Sequence, residues 1–408
     1  MEPLRCDGRR LMGRLDQLGA VGRLEDGSCC RLALTDEDRQ GRDLVVSWMR
    51  ELGLEVRVDR VGNLIGLRRG SEDLPPVMTG SHIDTVATGG PFDGCLGVLA
   101  GLEVVQVLNE HGVTTRRPLA VAVFTNEEGV RFQPDMAGSL VYAGGLPVAE
   151  ALALVGIDGR RFGAELERIG YAGTLEPGAI VPLAFVELHI EQGPILDQEG
   201  EALGAVANLQ GISWTEVTLH GRANHAGTTP MGLRRDAGHG AARLACFVHD
   251  LAQELGGVGT VGSLRLAPNL INVIAREAVA TVDLRHADEQ VLAAAERRLE
   301  AFLQDLRAQG LGVETRRLAR TEPVVFDPGT VRVIEQAAAS LGQRIRPMTS
   351  GAGQDAQMLA RICPAAMIFV PSQGGVSHNP AERTDPRHVQ LGADVLLRTL
   401  LTLAEERP

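Results

Sequence analysis

The chain has 408 residues, 44% of them hydrophobic and 23% charged, and a formal net charge of −12. That length exceeds what one compact core usually serves, so two domains are expected. The acidic balance, the lack of any Lys/Arg-rich run and an aromatic content of only 3% exclude a nucleic-acid partner bound by charge or by stacking.

The opening MEPLRCDGRR lacks the apolar core of a signal peptide, and no apolar run approaches a bilayer-spanning length, so a cytoplasmic protein without membrane attachment is expected. Six scattered cysteines with no CxxC pair indicate neither a zinc ribbon nor a disulfide framework. Thr35 to Leu52 reads as a helix, with Thr35 and Asp38 as a capping box. Leu54 to Gly70 alternates around a turn, as in a hairpin. Val77 to Gly80 is a short strand that runs into His82 and Asp84, two residues apart, whose side chains are expected on one face of its carboxyl end. A Gly-rich loop bearing Asp93 follows, then a helix over Gly94 to Glu110. Leu119 to Phe124 reads as a strand buried on both faces and ends in Thr125-Asn126-Glu127-Glu128. Phe185 to Ile190 is another strand, with His189 near its end.

The pattern then changes. Strands over Trp214–Gly221, Val258–Ala267, Asn272–Arg285 and Val313–Leu318 alternate with helices over Arg235–Leu255 and Asp288–Ala308. The order β-α-β-β-α-β is the ferredoxin-like arrangement. Helices over Val331–Leu341, Gln354–Arg361 and His388–Leu403 and a strand over Ala366–Val370 then resume an α/β pattern. The fold expected is therefore α/β, with a smaller α+β domain (residues 211–321) inserted into a discontinuous larger one (1–210 and 322–408). A hinge is expected near 208–211 and 320–323.

The chemistry-bearing residues gather at strand ends. Imidazole plus carboxylate suits zinc or a similar divalent ion, yet His82 and Asp84 alone can equally be a chance pair. Glu127 and Glu128 read either as a metal ligand beside a general base or as two solvated acids. His189 fits a ligand or a satisfied core histidine, and His378, in the Gly-rich GGVSHNPAE, fits a ligand or a loop residue.

Six segments in order, GSHIDT…GGPFDG, TNEEGVRF, ELHIEQGP, NHAGTTPM, SGAGQDAQ and GGVSHNPAE, resemble the signature motifs of the two-metal N-carbamoyl-L-amino-acid hydrolases. Allantoate amidohydrolases and β-ureidopropionases are close relatives of that group within the aminoacylase/carboxypeptidase superfamily of metallopeptidases. The resemblance implies a two-metal aminopeptidase-like catalytic domain, a mixed sheet between helices, and an inserted lid and dimerisation domain. It implies two divalent ions per subunit, zinc first, with manganese, cobalt or nickel as alternatives. His82 and His189 would bind one, Glu128 and His378 the other, and Asp93 would bridge them. Glu127 would act as general base toward a water held between the ions, and Asp84 would accept a hydrogen bond from His82 and fix its tautomer. His225 would stabilise the developing oxyanion. Gln192, Asn272 and Arg285 would contact the substrate, and the Gly351-Ala352-Gly353 loop would offer backbone N–H groups. The implied reaction removes the carbamoyl group from N-carbamoyl-L-α-amino acids. Allantoate amidohydrolase and β-ureidopropionase are the nearest alternatives. A peptidase is disfavoured by histidine at 189, and a non-catalytic member by the full set of site residues. A homodimer through the inserted domain is implied as well. The chain departs from the pattern at Gln354, where histidine is common, and the Gln133–Gly145 loop has no evident role.

Overall fold

A computed structural model describes residues 4–405; the terminal triplets of the expected larger domain, 1–3 and 406–408, lie outside the described residues. Thirteen strands are assigned among the described residues. They are β1 (Glu55–Val58), β2 (Leu64–Arg68), β3 (Val77–His82), β4 (Leu119–Phe124), β5 (Ala184–Ile190), β6 (Gly204–Leu209), β7 (Gly211–His220), β8 (Val258–Ala267), β9 (Glu277–His286), β10 (Gly312–Thr321), β11 (Val324–Val325), β12 (Arg346–Ser350) and β13 (Ala365–Val370). The chain divides into two compact units, Met1–Ala207 with Phe326–Pro408, and Asn208–Val325.

The larger unit is built on a mixed sheet in the order β1-β2-β4-β3-β5-β13-β6, with β12 paired to β6. Its centre is parallel: β3 pairs with β4 and β5, and β13 with β5. These four strands are buried throughout, as parallel strands covered on both faces must be, and β4 and β13 are apolar along their whole length. The helices Cys95–Glu110 and Pro386–Glu405 supply apolar cover. Because the central strands share one direction, their carboxyl ends emerge along one edge of the sheet, where α/β proteins place their sites.

The helix Asp36–Glu51 starts as its capping chemistry requires. Thr35 Oγ1 accepts the Asp38 N–H at 3.3 Å, while Asp38 Oδ2 accepts the N–H of Leu34, one residue further back than a capping box places it. Asp38 also pairs at 2.9 Å with Arg42, and neither side chain is exposed. Arg42 continues to Gly62 O and Thr125 Oγ1, which ties this helix to the turn after β4. Asp38→Ala would leave the guanidinium buried without its anion. A loss of about 3–5 kcal/mol in urea-induced unfolding is expected; a loss below 1 kcal/mol would mean that the carbonyl and hydroxyl partners suffice.

The smaller unit is a four-stranded antiparallel sheet in the order β10-β7-β9-β8. Alternate residues of β9 are buried, and Ala280, Val282 and Leu284 meet Leu244, Val248, Leu292, Leu299 and Leu303 of the helices Ala237–Leu255 and Glu289–Ala308. This is the ferredoxin-like order expected. The unit spans Asn208–Val325 rather than 211–321, and the largest difference in an element is at β9, which begins at Glu277 rather than Asn272, because Asn272 sits in a turn that pairs with the His225 loop.

Candidate metal centre

His82 is the last residue of β3 and is 1% exposed. Its Nδ1 lies 2.9 Å from the carbonyl oxygen of Asp84. A carbonyl only accepts, so the ring proton sits on Nδ1 and Nε2 keeps a free lone pair. That Nε2 is buried and has no hydrogen-bond partner among the described residues. Burial drives the His82 pKa down to about 4, so the ring stays neutral and available as a donor to a cation. The main chain of Gly94 (φ 63°) passes so close to this ring that any Cβ there would occupy its space. His189, on the neighbouring strand β5, repeats the device, with Nδ1 2.9 Å from Ile190 O.

Asp93 stands between these imidazoles and His378. Its Oδ1 lies 3.2 Å from His189 Nε2 and 3.7 Å from His82 Nε2; its Oδ2 lies 3.2 Å from His378 Nε2. Burial opposes its charge, but His189 and His378 hold the carboxyl well below the usual carboxylate range. Glu128 Oε2 approaches His378 Nε2 at 3.4 Å. Two groups able to hold a cation result among the described residues: His82, Asp93 and His189, and Asp93, Glu128 and His378. Asp93 belongs to both. Glu127 belongs to neither and turns instead toward His82, with Oε2 3.4 Å from Nε2.

The surroundings are anionic. Asp84, Asp93, Glu127, Glu187, Asp355 and Glu382 are all buried, and among the described residues none of them forms an ion pair with Lys or Arg. Burial, with Asp355, Glu128, Asp93 and Asp84 adding repulsion, pushes Glu127 well above the usual carboxylate range. Burial and Asp93 do the same to Glu128. Such a cluster needs positive charge, and an orphaned imidazole lone pair beside it fits divalent cations held by nitrogen and oxygen.

Asp84 corrects an expectation. It lies beyond the end of β3, and its carboxylate stands 4.0 Å from His82 Nδ1, whose partner is the Asp84 backbone carbonyl. The carboxylate instead accepts the N–H groups of Glu127 (3.2 Å) and Glu128 (3.3 Å), and so fixes the turn that carries both glutamates. The Gln133–Gly145 loop holds that turn from the other side. Met136, Ala137 and Gly138 donate their N–H groups to the carbonyls of Glu127, Asn126 and Thr125. The Asn126 side chain in turn donates to Phe132 O and Pro134 O. Asn126, Met136, Gln192 and His378 all hold positive φ without being glycine, a strain that concentrates at functional sites.

Gln192 donates to Asp93 Oδ2 at 2.8 Å and accepts from Gln354 Nε2 at 2.6 Å, so its amide is engaged with the acidic cluster rather than free. The Gly351–Gly353 loop follows β12, and the Ala352 N–H turns to Ser350 Oγ at 3.3 Å. The remaining expected substrate residues lie in the smaller unit. His225 is exposed, and its Nδ1 accepts the N–H groups of Gly227 and Thr228. Asn272 is exposed and its carbonyl accepts the Ala226 N–H. Arg285 forks onto Asp283 at 2.9–3.1 Å and lies over the Trp214 ring. Four buried acceptors went unread in the sequence. Glu187, Asp355 and Glu382 lie inside ELHIEQGP, SGAGQDAQ and GGVSHNPAE, and Ser372 Oγ accepts the Gln192 N–H.

Comparison with known proteins gives the family. Residues 78–402 match the model of peptidase family M20/M25/M40. An N-carbamoyl-L-amino-acid amidohydrolase of Rhizobium meliloti is 42% identical over 99% of this chain and 98% of its own. An N-carbamoyl-L-amino acid amidohydrolase of Geobacillus stearothermophilus is 42% identical over 98% and 99%. The crystal structure of an amidase of the hydantoinase/carbamoylase family from Burkholderia multivorans superposes with a TM-score of 0.97 at 43% identity, covering 99% of this chain and 100% of that one.

Proposed function

The chain belongs to peptidase family M20/M25/M40, and on that premise we propose that it is a metal-dependent amidohydrolase acting on N-carbamoyl-L-α-amino acids. One water is consumed, and the amino acid, ammonia and carbon dioxide are released. The observation that carries the reading is the pair of cation-competent groups sharing Asp93, with the buried carboxylate of Glu127 beside them and outside both. The names of the relatives at 42% identity over nearly the whole chain supply the substrate class.

In this reading His82, His189 and Asp93 hold one divalent ion, and Asp93, Glu128 and His378 hold the other. Two such cations lower the pKa of water and polarise a carbonyl. The protein's own residues do the rest. Glu127 takes the proton from the attacking water and returns it to the leaving nitrogen. Asp84 and the 136–138 backbone keep Glu127 and Glu128 pointing to different partners. Gln192 is placed to turn an amide donor from Asp93 toward a bound carbonyl. His225, Asn272 and Arg285 enter as substrate contacts on the strength of the motifs that contain them. Zinc is the cation proposed first, with manganese, cobalt and nickel as alternatives that the His/carboxylate set also accepts. A cytoplasmic homodimer assembled through the smaller unit completes the proposal. No helix among the described residues is long and apolar enough to cross a membrane.

Ammonia release from N-carbamoyl-methionine, allantoate and N-carbamoyl-β-alanine, with and without added zinc or manganese, tests the assignment. Metal-dependent release is expected, fastest from the α-amino-acid derivative. Preference for allantoate would move the chain to the neighbouring activity. No release from any of the three after metal loading would remove the proposal.

A further inference from the structure

The two cation groups are not built alike. His82 and His189 stand on paired strands of one sheet and are buried, so the sheet itself fixes two of the three residues of the first group. The second group depends on two loops. Asp93 precedes the helix Cys95–Glu110, and His378 lies eight residues past β13, with a positive φ and a side chain 47% exposed. Nothing in the sheet register brings these loops together.

Glu382 does. It sits four residues after His378, in a turn closed by its own N–H to Asn379 O, and is 0% exposed. Its Oε1 accepts the backbone N–H groups of Phe92 at 2.9 Å and Asp93 at 3.2 Å. Its Oε2 lies 3.1 Å from Ser377 Oγ, which is also 3.0 Å from Asp93 Oδ2. The Asp93 loop wraps this side chain so closely that a Cβ on Gly90 would overlap its carboxylate. The device repeats what Asp84 does for Glu127 and Glu128, a buried carboxylate gripping two consecutive N–H groups.

We propose that Glu382 is the positioning residue that seats Asp93 against His378 and so completes the second cation group. The proposal rests on the reading of both groups as cation sites. Asp93 belongs to both groups, but the larger effect falls on the second, because the first keeps two buried, strand-borne imidazoles and the second relies on the meeting of two loops.

Zinc titration of the metal-free full-length protein, by calorimetry and by bound-metal analysis, tests it. The wild type is expected to take two equivalents; failure to do so would remove the two-site reading itself, before any variant is considered. Glu382→Ala is expected to keep the first equivalent and weaken the second about 10- to 100-fold, as loss of a residue that orients a ligand does. Glu382→Gln retains an oxygen to accept both N–H groups and is expected to bind both equivalents as the wild type does. Gly90→Ala removes no polar group but displaces the Glu382 carboxylate, and is expected to reproduce Glu382→Ala. Retention of both equivalents at wild-type affinity in Glu382→Ala and Gly90→Ala would overturn the proposal. So would equal weakening of both equivalents, or a Glu382→Gln protein that behaves like the alanine variant.

Discussion

Asp93→Ala is expected to bind neither zinc equivalent and to release no ammonia from any ureido substrate. The argument is geometric. Asp93 is the residue common to both cation groups, with Oδ1 turned to His189 and His82 and Oδ2 turned to His378. Removing it leaves His82 and His189 without a carboxylate in one group, and Glu128 with a half-exposed histidine in the other.

The same substitution separates binding from folding. Asp93 adds repulsion to Glu127 and Glu128, so the metal-free variant loses one of the charges that disfavour burial there. Against that gain it loses the favourable pairing of Asp93 with His189 and His378, so its metal-free melt serves as its own baseline. What disappears is the stabilisation by zinc, which for the wild type is about 2.7 kcal/mol per site at a hundredfold excess over Kd. Thermal melts with and without zinc measure both quantities. A zinc-induced rise in Tm that survives in Asp93→Ala would show that the carboxylate is not shared between the sites. Asp93→Asn extends the test, since it keeps the shape of the side chain while removing the charge that the cations require.

How much of this was legible in the sequence depends on where each residue stands. Glu127 and Glu128 follow the uninterrupted apolar run LAVAVF, while His82 and His189 stand at the ends of buried strands that open on apolar residues, and such strands in a parallel sheet deliver their carboxyl ends to one edge. Their convergence is a consequence of strand direction, which periodicity reveals. Asp93 and His378 are reached across loops, and the residues alone left each of them open until the motifs were taken together. The partners that hold those loops were not legible at all. Glu382 acts through backbone N–H groups nearly 290 positions away, and any acceptor of the right length would leave the same trace in composition. Asp84 misled for a related reason. Its spacing from His82 suggests side chains on a common face, but β3 ends at His82, so the alternation that would have paired them stops one residue too soon. The work of the 133–145 loop, three N–H groups on the carbonyls of Thr125, Asn126 and Glu127, is invisible in side-chain identity. The small helices at 137–142, 148–153 and 162–168 were missed because each is too short to show a helical period.

Glu127→Gln separates chemistry from metal binding. The side chain lies outside both cation groups, yet its Oε2 comes within 3.4 Å of His82 Nε2, so a water between the two groups would lie within its reach. Its neighbour Glu128 faces His378 instead, and the backbone that splits the two is held on one side by the Asp84 carboxylate and on the other by Met136 and Ala137. Glutamine preserves the length and the polar contacts of residue 127 but cannot take a proton from water. Turnover should fall by about 10²–10⁴-fold, the usual contribution of a positioned general base. KM should change little, and two zinc equivalents should still bind. The converse variant, Glu128→Gln, should instead lose the second equivalent, because residue 128 is a member of that group. The pair of variants is decisive through its asymmetry. If Glu127→Gln lost metal while Glu128→Gln kept it, the roles assigned to these adjacent glutamates would have to be exchanged. If Glu127→Gln kept both metal and turnover, the proton would have to be taken by another group altogether.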